Sequence, residues 1–102
     1  MTKADFEATV SARLMRLFGD MSAGMGVSPA RRLRLEGYLQ AGVELGLLTR
    51  ARAISLLCES YASQFGDVLE ADSPLLGDPA AEEIDIRIPL RLPLAAEADR
   101  PS

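Results

Sequence analysis

The chain has 102 residues, of which 48% are hydrophobic and 25% are charged, so it is the size of one small globular domain. It contains no histidine, no tryptophan and a single cysteine. An imidazole-based catalytic triad, a zinc site of several Cys and His ligands and an internal disulfide are therefore excluded. This composition favours a protein that is not an enzyme and that needs no cofactor and no metal.

The net charge of −4 is divided unevenly along the chain. Residues 1–66 carry eight basic groups against six acidic ones, and residues 67–102 carry three against nine, so the two parts have net charges of +2 and −6. This division predicts an acidic tail on an arginine face, two separate contact surfaces, or simply solvated surface. Neither a secretory signal nor an apolar run approaching the roughly 20 residues of a membrane span is visible, so we expect a cytoplasmic protein without a membrane partner.

Three amphipathic helices are predicted in residues 1–66. The first covers about residues 3–21 and repeats apolar residues at steps of three and four. The second begins at Ser28 and Pro29, a typical N-cap followed by proline at the first helical position. The third begins after Thr49 and ends before Gly66. The short connection between the second and third helices predicts an antiparallel hairpin, across which the first helix packs.

Two glycines inside the second helix predict a close helix crossing. Glycine within a helix costs about 1 kcal/mol relative to alanine, so a packing reason is expected. Gly37 and Gly42 are the candidates for that crossing, whereas Gly46 is expected to end the helix in a left-handed conformation. Cys58 lies in the apolar stripe of the third helix and, without a histidine to activate it, is interpreted as a packing residue.

The rest of the chain changes character. Residues 67–83 are rich in acidic residues, proline and glycine and are predicted to be a linker, and residues 95–102 a mobile polar tail. Between them, residues 84–94 alternate with a period of two, which is typical of a β-strand. Its aliphatic face consists of the even positions Ile84, Ile86, Ile88, Leu90, Leu92 and Leu94.

This strand has no visible partner in its own chain. Pro89 and Pro93 remove donors from one edge, so only the other edge can form a complete hydrogen-bond ladder. We predict that the strand pairs with the same segment of a second copy, giving a mainly α, three-helix domain with a C-terminal strand in a homodimer. Addition to another protein's sheet and docking as an extended chain on the protein's own helices are the alternatives.

Arginines near the helix starts are the candidate partner-binding residues. They are Arg31, Arg32 and Arg34 at the second helix and Arg50 and Arg52 at the third. The predicted function is that of a small homodimeric interaction or regulatory protein that contacts another macromolecule, most simply an unknown protein. A nucleic-acid-binding regulator is the alternative, which is disfavoured by the acidic net charge and by the absence of a helix-turn-helix pattern.

Overall fold

The structure, a computed structural model, describes residues 2–90. Three α-helices form a small, mainly helical domain: α1 is Lys3–Ser22, α2 is Pro29–Glu44 and α3 is Arg50–Phe65. The end of the predicted strand, with Leu92 and Leu94, and the predicted tail of residues 95–102 lie outside the described residues.

Each helix begins where its sequence signal places it. At α1 the Thr2 hydroxyl accepts a hydrogen bond from the Asp5 N–H (3.1 Å) and the Asp5 carboxylate accepts one from the Thr2 N–H (3.3 Å), which is a capping box. Ser28 and Thr49 cap α2 and α3 in the same way through one hydroxyl each. The predicted helix starts are therefore confirmed, and the caps supply hydrogen-bond acceptors that the first helical turn lacks.

α1 packs mainly against α3, and the two helices run in the same direction. Arg52 pairs with Glu7 near the start of both helices (3.0 Å), and the ring of Phe18 lies 5.5 Å from that of Tyr61 near their ends. The core between the helices is aliphatic and aromatic. Its fully covered members include Val10, Leu14, Leu17, Phe18, Leu39 and Leu57.

α2 runs opposite to α1. Phe6, near the start of α1, stacks on Tyr38 in the middle of α2 at 4.9 Å, and Asp20 near the end of α1 pairs with Arg31 at the start of α2. Because α1 and α3 run in the same direction, α2 is antiparallel to both. The hairpin of α2 and α3 therefore has the predicted direction, with α1 as the principal neighbour of α3.

The two glycines of α2 behave differently. Gly42 is buried, and a Cβ placed on it would collide with the ring of Phe6. Gly37 is exposed, and nothing lies within 4 Å of a Cβ built there. The close crossing predicted from the glycines is thus made at Gly42 and not at Gly37, while Gly46 adopts the expected positive φ of 74°.

After α3 the chain returns along the helices in irregular conformation. A short 3-10 helix, Pro74–Leu76, buries Leu76 completely. Residues 84–90, which we call the strap, then bury Ile86 (0% exposed) and Ile88 (2% exposed) on the same chain's helical domain, while Arg87 between them is exposed. The period-two pattern is therefore expressed as alternate burial.

The predicted C-terminal strand is not confirmed, because residues 84–90 contain no strand. The physical reason is that side chains of α2 and α3 satisfy the strap's backbone groups where a neighbouring strand was expected. This arrangement is the alternative of docking on the protein's own helices. Pairing of two copies through this segment is not seen in a single chain and stays a prediction.

Candidate functional site

The five candidate arginines do not form one patch. Arg31 pairs with Asp20 at 2.6 Å and Arg32 pairs with Glu36 at 2.9 Å, so both are engaged near the start of α2. Arg34, two residues after Arg32 on α2, is exposed. The α2 arginines therefore separate into two that stabilise the domain and one that faces solvent.

The two candidate arginines of α3 also contact their own chain. Arg52 binds Glu7 at 3.0 Å and approaches Glu59 at 3.7 Å. Arg50 donates to two backbone carbonyls of the C-terminal segment, those of Asp85 (3.1 Å) and Leu76 (3.4 Å). These residues stabilise the fold, and they lie far along the hairpin from the start of α2.

Four arginines, two of which are among the candidates, line a groove between α1 and α2. Arg13 and Arg16 of α1 face Arg31 and Arg34 of α2 across a depression of about 350 Å³. Its lining is completed by Leu35, which is buried, and Tyr38, which is half-buried. We call these six residues the arginine groove: guanidinium groups around an apolar and aromatic surface.

Tyr38 is held between two groups. The guanidinium carbon of Arg13 lies 4.4 Å from the centroid of its ring, a cation–π distance, and Phe6 stacks on the ring with an interplanar angle of 28°. These contacts fix the Arg13 side chain at the edge of the groove. They also leave little open face on Tyr38 for a further planar group.

The groove carries an excess of positive charge. Within residues 2–90, Arg31 has a carboxylate partner, whereas Arg13, Arg16 and Arg34 form no ion pair. Guanidinium groups bind carboxylates and phosphates through pairs of N–H donors. The groove is therefore suited to an anionic group flanked by an apolar side chain.

The sequence contained a signal for Arg13 and Arg16 that the prediction missed. They are three residues apart on α1, beside the buried stripe that includes Val10 and Leu14, so they share the flank that meets α2. The candidates taken from the helix starts include Arg31 and Arg34 of this groove, together with three arginines that contact their own chain outside it.

A second group of contacts consists of the hydrogen bonds that hold the strap on the helical domain. The Gln40 side-chain amide donates to the Ile86 carbonyl (3.1 Å), and the Glu36 carboxylate accepts the Ile88 N–H (2.7 Å). Gln40 and Glu36 are one turn apart on α2, a rise of about 6 Å, which two residues of extended chain also span. On the strap's other side, the Arg87 N–H donates to the Leu76 carbonyl (3.0 Å).

Glu36 is the unusual member of this arrangement because it is a charged residue only 7% exposed. Its Oε2 accepts both from the Ile88 N–H and from the Arg32 guanidinium, so the buried carboxylate has a backbone donor and an opposite charge. Arg32 and Glu36 are four residues apart, a spacing at which side chains on one helix face can pair. That this face is covered by the strap could not be read from α2 alone.

Among the groups of residues 2–90, two have shifted pKa values. Burial, followed by the nearby charges of Glu70 and Glu59, raises the pKa of the Cys58 thiol, which agrees with a packing role for this free cysteine. The Asp78 N–H that donates to the Asp85 carboxylate, together with Arg87, lowers the pKa of Asp85. This carboxylate organises the turn that precedes the strap.

In the described part of the chain, no group of three or more His, Cys, Asp or Glu residues is placed to hold a metal ion. None of the helices in residues 2–90 is both long and apolar enough to cross a membrane. Comparison with known proteins gives no match to a family model, to a curated protein or to a solved structure.

Proposed function

We propose that the protein is a non-catalytic interaction or regulatory protein of the cytoplasm that binds an acidic segment of another protein in the arginine groove. The observation that carries this proposal is the convergence of Arg13, Arg16 and Arg34, none of them ion-paired within residues 2–90, on a groove with an apolar lining. Binding there would neutralise a concentration of like charge.

Protein is favoured over nucleic acid as the partner for two reasons. Sequence-tolerant binding of single strands depends on open aromatic faces, and the groove's aromatic residue, Tyr38, is already stacked by Phe6 and contacted by Arg13. The chain as a whole is also acidic, which opposes the long-range attraction to a polyphosphate. A short acidic peptide needs only the local positive groove.

The homodimer is a second and separate part of the proposal. It is supported by the aliphatic repeat of residues 84–94, whose described end, Leu90, is 48% exposed. Light scattering at several protein concentrations tests it. A mass of two chains supports the dimer, and a mass of one chain at all concentrations contradicts it.

The groove is tested by fluorescence anisotropy with a labelled peptide of six glutamates and one phenylalanine. The double substitution Arg16→Gln/Arg34→Gln removes two of the unpaired charges and should weaken binding about tenfold, equivalent to about 1.4 kcal/mol. Arg87→Gln is the control, because Arg87 is exposed and lies outside the groove. The affinity of the Arg87→Gln variant for the peptide should stay within about twofold of that of the original protein, because an exposed charge outside the groove contributes little.

Two results would contradict the proposed partner. Equal affinities for the two variants would show that Arg16 and Arg34 do not determine binding. Tighter binding of a labelled 12-nucleotide DNA strand than of the peptide, lost in the groove variant alone, would transfer the site to the nucleic-acid alternative.

A further inference from the structure

The arginine groove carries more positive charge than one carboxylate can neutralise. Four guanidinium groups line it, and that of Arg31 is paired with the Asp20 carboxylate. Arg13, Arg16 and Arg34 form no ion pair within residues 2–90, so three of the four positive charges remain. We propose that the group bound there is a phosphoserine side chain of the acidic partner segment. This inference rests on the proposed function and names the anion that the groove selects.

The guanidinium groups approach the groove from two sides. Arg13 and Arg16 are three residues apart on α1, and so rise about 4.5 Å along its axis. Arg31 and Arg34 have the same spacing on α2, which runs antiparallel to α1. A carboxylate has two oxygens in one plane, which a single guanidinium fork can satisfy, whereas a phosphate monoester has three strong acceptor oxygens. Donors on both sides of a depression therefore suit a phosphoryl group better than a carboxylate.

The charge of a phosphate monoester also matches the groove. At neutral pH this group carries a charge of about −1.5 to −2, compared with −1 for a carboxylate. One phosphoryl group therefore neutralises most of the charge of two of the unpaired arginines. Carboxylates beside it in an acidic segment neutralise the third. Clusters of arginine are the usual means by which proteins recognise phosphorylated and acidic segments.

The aromatic surface of the groove favours phosphoserine over phosphotyrosine. Phe6 stacks on the ring of Tyr38 at 4.9 Å, and the guanidinium carbon of Arg13 lies 4.4 Å from the centroid of the same ring. A phosphotyrosine ring would have to displace one of these contacts in order to stack on Tyr38. Leu35, only 7% exposed, offers it little other apolar area. The short phosphoserine side chain needs no stacking partner and keeps Arg13 held at the groove's edge.

Asp20 limits the charge that the groove offers to a ligand. Its carboxylate lies 2.6 Å from a guanidinium nitrogen of Arg31, and the two side chains are 29% and 35% exposed. Arg31 is therefore held beside the groove with its charge neutralised. The substitution Asp20→Asn would release this charge, and a ligand of higher charge gains more from it than a ligand of lower charge.

Three labelled peptides of equal length test the proposal by fluorescence anisotropy. All contain four glutamates and one leucine, and they differ only in two central residues, which are phosphoserine–serine, serine–serine or glutamate–glutamate. The first and third peptides have nearly equal charge at pH 7.5, so they separate phosphoryl chemistry from charge. We expect the phosphoserine peptide to bind about tenfold more tightly than the serine peptide and about fivefold more tightly than the glutamate peptide.

Variants of the full chain locate the preference. Arg16→Gln/Arg34→Gln should reduce the preference for phosphoserine over glutamate to less than about twofold, because it removes the donors of one arginine on each side. Asp20→Asn should tighten binding of the phosphoserine peptide about threefold. Glu82→Gln changes the net charge equally at an exposed residue outside the groove and should leave the affinity within about twofold. Circular dichroism checks that each variant keeps the helix content of the original protein.

The pH dependence of binding gives an independent readout. The second pKa of a phosphate monoester is about 6. The chain contains no histidine, the side chain whose ordinary pKa lies in the same range, so a change between pH 7.5 and 5.5 reports on the ligand. Binding of the phosphoserine peptide should weaken about fourfold over this range as the dianion is protonated, and binding of the glutamate peptide should change by less than about twofold. Equal changes for the two peptides would overturn selection of the dianion.

The outcomes separate this inference from the proposed function. If Arg16→Gln/Arg34→Gln weakens binding of the glutamate peptide and phosphoserine gives no advantage, the acidic-segment function stands and the phosphoserine inference is overturned. A phosphoserine preference that this double substitution leaves unchanged also overturns the inference, because the preference then arises outside the groove. A preference that the double substitution removes supports the inference, and it does so even where the six-glutamate peptide fails to bind and the proposed function is narrowed to phosphorylated partners.

Two competitors test the source of the phosphoryl group. Unlabelled phosphoserine peptide should displace the labelled one at a concentration at least about 100-fold lower than inorganic phosphate, because the flanking glutamates add contacts that the free ion lacks. Equal displacement by inorganic phosphate would overturn the inference by assigning the groove to the free ion. Tighter binding of the corresponding phosphotyrosine peptide would overturn the choice of serine.

Discussion

The helical domain and the strap satisfy their buried backbone hydrogen-bonding groups in different ways. Both bury aliphatic side chains and must therefore satisfy the backbone groups that enter the interior with them. The helices do so within each segment, with Thr2, Ser28 and Thr49 completing their starts. The backbone groups of the strap hydrogen-bond instead to side chains of α2 and α3. A period of two therefore identifies an extended chain with one buried face, but it does not identify the groups that hydrogen-bond to its backbone.

The first way to test this comparison is to remove one core side chain from each region. Phe18→Ala, in the α1–α3 core, should lower the free energy of unfolding by about 3–5 kcal/mol. Ile86→Ala should lower it by about 2 kcal/mol, because the irregular strap can shift to fill the space left by the removed atoms. Urea denaturation followed by circular dichroism measures both. An Ile86→Ala cost equal to or above that of Phe18→Ala would mean that the strap belongs to the central core.

The second test uses the two glycines of α2 as a matched pair. Gly42→Ala forces a methyl group into the ring of Phe6 and should destabilise the protein by about 1–3 kcal/mol. Gly37→Ala adds a methyl group in open space and should stabilise it by about 0.5–1 kcal/mol through helix propensity. Thermal unfolding resolves the opposite signs. Two shifts of the same sign would contradict the close approach of α1 to α2 at Gly42.

These glycines show which packing contacts the sequence can predict and which it cannot. Their presence inside a helix predicted a close approach, but only the packing of Phe6 against one side of α2 decides that Gly42 makes it. The helix starts were predictable because a cap depends on residues within one turn. The strap's contacts were not predictable, because Glu36 and Ile88 are 52 positions apart and no local pattern at either position indicates that they meet.

The arginine groove was partly predictable for the same reason. Arg34 was selected from its position near a helix start, whereas Arg13 and Arg16 become its neighbours only through the antiparallel packing of α1 and α2. Conversely, Arg50 was a candidate partner-binding residue, and the fold places two carbonyl oxygens beside it, that of Asp85 in the strap and that of Leu76 in the 3-10 helix. Local patterns thus identified the charged residues, and long-range packing decides which of them pair within the chain and which line the groove.

The third prediction concerns Arg50. Arg50→Met keeps an unbranched stem and removes the guanidinium that hydrogen-bonds to the Asp85 and Leu76 carbonyls. The strap should therefore be weakened by about 1–2 kcal/mol while the helices keep their stability. Limited proteolysis with an enzyme that cleaves after arginine should then cut faster after Arg87. Arg34→Met is the control and should leave that cleavage rate unchanged. Equal rates in both variants would show that Arg50 does not hold the strap.

The smallest predicted effect is chemical. Because burial and two nearby carboxylates raise the pKa of the Cys58 thiol, less thiolate is present at neutral pH and alkylation by iodoacetamide should be slower than for an unfolded cysteine. The rate should rise with pH through a region above the usual thiol pKa. Mass spectrometry of the native and urea-unfolded protein measures it. Equal rates in the two states would contradict the burial of Cys58 on α3.

Hydrogen exchange at the Ile88 amide, followed by NMR, tests the central claim most directly. We expect this N–H to be protected in the original protein and Glu36→Ala to remove about 1.5–3 kcal/mol of that protection, the contribution of a hydrogen bond to a charged group. The amide of Leu57, inside α3, should remain protected in both. An Ile88 amide that exchanges freely in the original protein, or one that Glu36→Ala leaves unchanged, would contradict the account that side chains of α2 hold the strap.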